Sequence, residues 1–246
     1  MMGRYASGPR HPTSLMRITW PTTIRRLLWA AGSAKPTGPL GVAALGHREY
    51  VGGMWDELGR LQLDFLIEHG LTPQTVLLDV GCGSLRLGRL AIPYLEPGHY
   101  LAIEKEEALV RAGLEEELDP KVRISRRPEI VVSSDFEFDR LSAPADLAIA
   151  QSVFTHLPPD RIRLCLRKLR LALVEGGRLY ATFFETDHPI ENPRMPHDHK
   201  SFLYTKREML AFGQDAGFAG RYLGAWNHPR GQVMVEYRTR RTTAAE

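Results

Sequence analysis

Five residues, Val76-Leu77-Leu78-Asp79-Val80, form a continuous apolar run broken by one acid and closed by Gly81-Cys82-Gly83. A strand with one wet face alternates apolar and polar residues, whereas a short run without alternation is a strand buried on both faces. Such a strand needs helices above and below it. Upstream, Val51, Met54, Trp55, Leu58, Leu61, Phe65 and Leu66 recur at spacings of three and four, one buried helix face that stops at Gly70 ahead of Pro73. Downstream, Leu85 to Leu95 reads as a helix, Pro97-Gly98 as a turn, and Tyr100 to Ile103 as a second strand ending in Glu104. A charged helix follows from about Glu106 to Leu118. The alternation continues with strands at Ile130–Val132, Leu147–Ala150 and Leu179–Phe184, and helices over Asp160–Val174 and Thr205–Ala216. Gly176-Gly177 reads as the turn into the third of these strands, and a polar segment runs from Glu185 to Ser201. Two last strands flank Asn227-His228-Pro229-Arg230-Gly231, a short turn-rich loop suited to an antiparallel hairpin. The pattern predicts an α/β fold: a doubly wound, mainly parallel seven-stranded sheet with a C-terminal antiparallel hairpin.

The front of the chain departs from this pattern. No Asp or Glu precedes Glu49, while seven Lys or Arg do, and residues 1–40 hold five prolines. Subtracting those seven charges from the net +3 leaves −4 for the remainder, so the basic balance belongs to the front end. A segment of this kind buries too little apolar surface to offset its ordering entropy. The expected organisation is therefore a disordered basic extension over residues 1–45, a folded domain over 46–239 and a short tail over 240–246. Within the extension, Ile18 to Ala31 has the makings of a basic amphipathic helix, and a peripheral membrane contact there is the functional alternative to a solvated tail. No apolar run reaches the ~18 residues of a spanning helix. Two cysteines, Cys82 and Cys165, make no disulfide framework, which points to a reducing, cytoplasmic setting. An acidic folded part argues against a nucleic-acid partner.

The chemistry lies in Leu78-Asp79-Val80-Gly81-Cys82-Gly83-Ser84. Alternate glycines let the backbone turn tightly and approach a ligand. Glu104, 25 positions after Asp79, ends the neighbouring strand and suits the two hydroxyls of a ribose. A dinucleotide site needs G-x-G-x-x-G, but the sixth position is Arg86. An acid two residues before the first glycine repels a pyrophosphate and attracts an ammonium group. S-adenosylmethionine, with a ribose, an amino acid and no phosphate, meets both conditions. In these residues the chain resembles the Rossmann-like, class I S-adenosylmethionine-dependent methyltransferases over about Tyr50 to Tyr237. Leu78 to Gly83 is similar to the family's first motif, although its third glycine is Leu85 here. Ile103-Glu104 matches the ribose-binding acid. Ser134-Asp135-Phe136 resembles the site where an acid meets the adenine amino group. Ala150-Gln151-Ser152-Val153-Phe154-Thr155-His156-Leu157 resembles the segment facing the methionine end, and Leu173 to Gly177 the family's Pro-Gly-Gly turn, with Glu175 in place of proline. The resemblance implies S-adenosylmethionine as cofactor, bound by Asp79, Gly81, Gly83, Glu104, Asp135 and Gln151.

The catalytic group stays unassigned. His156 follows a strand end where open α/β sheets place ligands, and a base near neutral pKa suits a hydroxyl acceptor. The reading preferred here is structural: it caps the following helix or packs on the sheet. Asp187-His188 and His197-Asp198-His199 suggest a divalent metal, but the spacing of a closed site is absent, and no metal is assigned. The expected reaction is methyl transfer to a hydroxyl, or an amine, of a small molecule or glycan-type acceptor near Gln151, His156, Glu185 and the polar insertion. The rivals are an NAD-dependent oxidoreductase and a non-catalytic cofactor-binding partner of another enzyme.

Overall fold

The computed structural model describes residues 35–239. The amphipathic segment Ile18 to Ala31 and the tail 240–246 lie outside the described residues. The elements are α1 (Gly38–Leu45), α2 (His47–Tyr50), α3 (Trp55–Glu68), β1 (Leu77–Val80), α4 (Gly88–Tyr94), β2 (Tyr100–Glu104), α5 (Glu107–Ala112), α6 (Pro120–Arg126), β3 (Glu129–Val132), β4 (Ala145–Ala150), α7 (Pro159–Ala172), β5 (Leu173–Glu185), β6 (Leu203–Tyr204), α8 (Lys206–Asp215), β7 (Phe218–Ala225) and β8 (Val233–Thr239). The strands run in the order β3-β2-β1-β4-β5-β8-β7, with β6 beside β5 off this path. From β3 to β5 every pairing is parallel, and β8 is antiparallel to both β5 and β7. This is the doubly wound sheet with its C-terminal hairpin, and the seven expected strands make up the main path. The eighth, β6, is two residues long and closes the polar insertion back onto Phe184 and Glu185.

Helices cover both faces, so β1 and β2 are buried at every residue. One core lies between the sheet and α7 and α8. Cys165, Leu166 and Leu169 meet Ala148, Leu179 and Tyr237 there. The other lies under α3 and α4, where Phe65, Leu66 and Ile92 meet Leu77, Leu147 and Tyr180. α8 starts with a capping box: the Thr205 hydroxyl accepts from the Glu208 backbone N–H, and the Glu208 carboxylate accepts from the Thr205 N–H.

Four local expectations shift. α1 is helical over residues assigned to the extension, so the structured region begins ahead of residue 46. Val42 and Leu45 are buried, but eight residues of Gly, Ala, Leu, Val and Pro carry no amphipathic stripe to read. α3 begins at Trp55 rather than Val51, because Gly52, Gly53 and Met54 hold positive φ of 98°, 65° and 49°. The expected turn at Gly176-Gly177 is absorbed into β5, with Gly176 at φ 78° and a register shift against β4. α4 starts at Gly88, not Leu85, since Leu85 takes φ 66°.

Leu85 sets two effects against each other. The left-handed conformation costs a side-chain-bearing residue about 1–2 kcal/mol. Burying its isobutyl group completely contributes about 2–5 kcal/mol on the scale of leucine truncations, which outweighs that cost. Leu85→Gly should therefore destabilise the fold by about 2 kcal/mol, lowering Tm by roughly 4–8 °C in thermal melts. A rise in Tm would mean that backbone strain outweighs burial at this turn.

Candidate active site

The turn after β1 is built on alternate left-handed residues: Gly81 at φ 72°, Gly83 at 55° and Leu85 at 66°. Here Leu85 supplies the conformation of a third glycine. Two carboxylates flank this turn. Asp79 lies within β1, and its Oδ2 accepts a hydrogen bond of 2.7 Å from the Tyr100 hydroxyl. Burial pushes its pKa up from an ordinary 3.8 to about 6; the Tyr100 bond and Arg86 oppose the rise, and Glu104 adds to it. Glu104 ends β2. Its Oε2 accepts from the Gly83 backbone N–H at 2.9 Å, and its Oε1 from Lys105 and Glu106 N–H at 2.9 and 3.0 Å. Burial raises the Glu104 pKa, and the three N–H donors hold it back. Cys82 between the glycines is a buried free thiol, pushed further from ionisation by burial and by both acids.

The turn is close-packed from above. A Cβ on Gly81 would lie 2.6 Å from Val153 Cγ2, and one on Gly83 would lie 3.1 Å from Val51 Cγ1. Val153 follows β4, whereas Val51 comes from the segment between α2 and α3. That segment is tied down. The Tyr50 hydroxyl donates to Asp198 at 2.6 Å and accepts from the Gly38 N–H at 2.9 Å, while Lys105 pairs with the same Asp198. Arg48 pairs with Glu117 at 2.6 Å. Asp198 belongs to the polar insertion, so the insertion and the N-terminal helices meet at the end of β2.

Gln151, just past β4, is buried in a polar group the sequence did not announce. Its Oε1 accepts from Gln62 Nε2 at 2.7 Å and Arg86 Nη2 at 2.6 Å, and its Nε2 donates to the Ser152 hydroxyl at 2.7 Å. Gln232 donates to Ser152 and accepts from Thr182 at 2.7 Å. His228 Nε2 lies 3.2 Å from Gln151 Nε2. Sequence alone presents Arg86 only as a departure from a dinucleotide motif and His228 only as part of a turn-rich loop, and it singles out neither Gln62 nor Gln232. Gln62 carried the one signal available, a polar side chain inside an apolar stripe.

The other predicted residues sit apart. Asp135 is exposed, with its Oδ1 3.0 Å from Arg161 Nη1. His156 Nδ1 lies 2.9 Å from the Lys200 carbonyl, and its own carbonyl accepts from the His197 N–H. Burial lowers its pKa. These bonds fasten the insertion to the turn after β4. His197 Nδ1 accepts from the backbone N–H of His199 and of Lys200. Among the described residues no group of three or more His, Cys, Asp or Glu is placed to hold a metal ion, and no helix is long and apolar enough to cross a membrane. A cavity of about 530 Å³ opens at the end of β5, lined by Glu185, Thr186, Asp187 and the first turns of α8.

Residues 78–179, from β1 into β5, match the profile of a family described as a methyltransferase domain. Over these residues the chain is similar to methyltransferase domains. Solved structures share its fold. Magnesium protoporphyrin IX methyltransferase from Synechocystis, crystallised with bound S-adenosylhomocysteine, is 14% identical with a TM-score of 0.55, over 78% of this chain and 91% of that one. Human N-acetylserotonin methyltransferase in complex with S-adenosylmethionine is 13% identical with a TM-score of 0.61, over 87% and 62%. DesVI from Streptomyces venezuelae is 14% identical with a TM-score of 0.56, over 75% and 92%.

The raised Asp79 pKa has a sign that can be checked. The folded state holds the proton more tightly than the unfolded chain, so the stability this group contributes is complete below its ordinary 3.8 and is lost as pH rises through about 6. Thermal melts from pH 4 to 7 should show this decline, and Asp79→Asn should remove the Asp79 share of it, leaving the smaller share of Glu104, whose pKa is also raised. An Asp79→Asn variant with the same pH profile as the parent would refute the assignment.

Proposed function

We propose that the chain transfers the methyl group of S-adenosylmethionine to a hydroxyl, or an amine, of a small molecule or glycan-type acceptor. The observation that carries the cofactor reading is the Glu104–Gly83 bond. In a dinucleotide site the N–H groups of the glycine turn face a phosphate. Here the Gly83 N–H faces a carboxylate, with a second acid buried beside it. An anionic pyrophosphate is repelled from such a turn, and a cationic sulfonium amino acid is attracted. The residues fit the group. A carboxylate offers about four acceptor positions, and three backbone N–H groups occupy three of those on Glu104, which leaves one for a ribose hydroxyl.

The methyl on a bound sulfonium is already activated, so alignment is the main task of the protein. Asp79 holds the ammonium end in its ionised form, over the Gly81–Gly83 backbone. Glu104 holds the ribose, and Gln151 lines the methionine end. Asp135 takes the adenine amino group through Oδ2, which otherwise makes only a long 3.5 Å contact with the Ser134 hydroxyl. Val51 and Val153 exclude water from the turn. The polar acceptor is supported by Ser152, Thr182, His228 and Gln232 at the ends of β4, β5 and the hairpin loop. The free, buried state of Cys82 and Cys165 supports a cytoplasmic setting.

Calorimetry on the purified chain should give micromolar binding of S-adenosylmethionine and S-adenosylhomocysteine and far weaker binding of NAD. Glu104→Ala removes charge-assisted bonds of about 1.5–3 kcal/mol and should weaken both ligands roughly ten- to a hundredfold. Tight NAD binding with no response to S-adenosylmethionine would overturn the reading. Methyl transfer from labelled cofactor into an acceptor panel separates an enzyme from a cofactor-binding partner.

His156 anchors the insertion through both its carbonyl and its ring. His156→Ala should lower Tm while kcat stays within a few-fold. A general base would show the opposite pattern, with kcat down by about a hundred- to ten-thousandfold and Tm unchanged.

A further inference from the structure

The hydrogen bonds around Gln151 run in one sense, because the chain starts at a group that can only donate. Arg86 Nη2 donates to Gln151 Oε1 at 2.6 Å, and Gln62 Nε2 donates to the same oxygen at 2.7 Å. Both lone pairs of that amide oxygen are used, and the Gln151 NH₂ faces the other way. It donates to the Ser152 hydroxyl oxygen at 2.7 Å and lies 3.5 Å from Gln232 Oε1 and 3.2 Å from His228 Nε2. The Thr182 hydroxyl accepts from the Ser152 backbone N–H at 2.8 Å and donates to Gln232 Oε1 at 2.7 Å. That bond turns the Gln232 NH₂ toward Ser152, where it donates to the hydroxyl oxygen at 2.6 Å.

The chain ends on Ser152. A serine oxygen has two lone pairs and one hydrogen. The two amides hold both lone pairs, and among the described residues no bond has this hydroxyl as donor. Its hydrogen takes the remaining tetrahedral direction, away from Gln151 and Gln232. Ser152 is half-buried and follows β4, at the edge where open α/β sheets hold ligands. It keeps φ at 58°, a left-handed conformation that costs a residue with a side chain and that clusters at ligand sites. The result is a hydroxyl that can give a hydrogen bond and has no lone pair left to receive one.

We propose that Ser152 selects an oxygen nucleophile over a nitrogen one, and that the acceptor is a phenolic hydroxyl. The proposal rests on the methyl-transfer reading and narrows its acceptor. A hydroxyl oxygen has two lone pairs: one receives the Ser152 hydrogen, and the other attacks the methyl carbon. A neutral amine has a single lone pair, so a bond from Ser152 blocks its attack, and its N–H groups find no acceptor on Ser152. In the transfer a C–O bond forms from the oxygen lone pair and the C–S bond of the sulfonium breaks. The electron pair of that bond stays on the sulfur of S-adenosylhomocysteine. The hydroxyl proton passes to water, since Ser152 has no lone pair to take it. A phenol releases that proton far more readily than an aliphatic alcohol, and the bond from Ser152 to the resulting anion is charge-assisted.

An aminophenol carries both nucleophiles on one ring, and in water its amino nitrogen is the stronger. A panel of aminophenols is incubated with the full chain and methyl-labelled S-adenosylmethionine, and the O-methyl and N-methyl products are separated by chromatography. The parent protein should favour the O-methyl product by about tenfold or more. Ser152→Ala should lower kcat/KM for the oxygen by about ten- to a hundredfold, the range of a hydrogen bond to a charged group, with N-methylation no slower. The affinity of this variant for S-adenosylhomocysteine, read by calorimetry, should stay at the parent value. Gln232→Glu replaces a donor to Ser152 by an acceptor, turns the serine hydrogen inward and should move the product ratio toward nitrogen. Excess N-methyl product from the parent overturns the proposal, and so does an unchanged product ratio in Ser152→Ala. The parent's ratio decides the nucleophile even if Ser152→Ala fails to fold, and Gln232→Glu then tests the residue. Bound cofactor with neither product formed overturns the phenol assignment and leaves the methyl-transfer reading standing. Failure of S-adenosylmethionine to bind overturns that reading, and this proposal with it.

Discussion

The Glu104 carboxylate accepts from the backbone N–H of Gly83 and from those of Lys105 and Glu106, and the architecture at the end of the sheet depends on it. One side chain closes the turn after β1 onto the turn after β2. Without it, the buried Gly83 N–H and the part-buried N–H groups of Lys105 and Glu106 would lose this acceptor, which is costly above all for Gly83. The bond also fixes which way the glycine turn faces, since Gly83 donates sideways to the neighbouring strand. A turn whose N–H groups are spent in this way no longer forms the anion cradle of a nucleotide-binding loop. On the proposed function, the backbone bond that holds the loop together also favours a sulfonium ligand over a phosphate.

Much of this frame was legible because it is local. Runs such as Leu147 to Ala150 reveal buried strands, and the stripe Ile162, Cys165, Leu166 and Leu169 reveals the inner face of α7. The acid at each strand end follows from the same reading, because a short strand in a parallel sheet carries its last side chains to one edge. Two local failures have local causes. Leu85 looks like a helix residue, and only its complete burial explains a left-handed φ without glycine. α1 has no periodic stripe, since Gly41 packs under the Tyr50 ring and the Pro36 carbonyl where a helix face would carry a large side chain.

The polar cluster around Gln151 was illegible for another reason. Its members are Gln62 on α3, Arg86 after β1, Ser152 after β4, Thr182 on β5 and His228 and Gln232 at the hairpin, and they meet only when the sheet order brings β1, β4, β5 and β8 together. Each alone is unremarkable in sequence. The insertion behaves likewise: Asp198 gains meaning only through Tyr50, 148 residues away, and Lys105, 93 away. Asp198 carries a pKa lowered to about 2; burial pushes it up, and the Lys105 and Tyr50 bonds more than reverse this. The insertion is therefore held to the end of β2 by a charge that persists across physiological pH.

Asp79 and Arg86 stand close enough for each to act on the ionisation of the other, yet they form no ion pair. Each is held by a neutral side chain instead, Asp79 by Tyr100 and Arg86 by Gln151. A direct pair would satisfy both charges and leave nothing to offer a ligand. Kept apart, the two present a negative and a positive position side by side in a buried setting, where interactions are stronger than in water. Both cost stability while they lack partners, as the raised pKa of Asp79 and the lowered pKa of Arg86, to about 10, show. Any ligand that supplies the missing opposite charges binds the folded state alone and so stabilises it. On the proposed function, the arrangement trades stability of the free protein for affinity where two buried charges form no ion pair with each other.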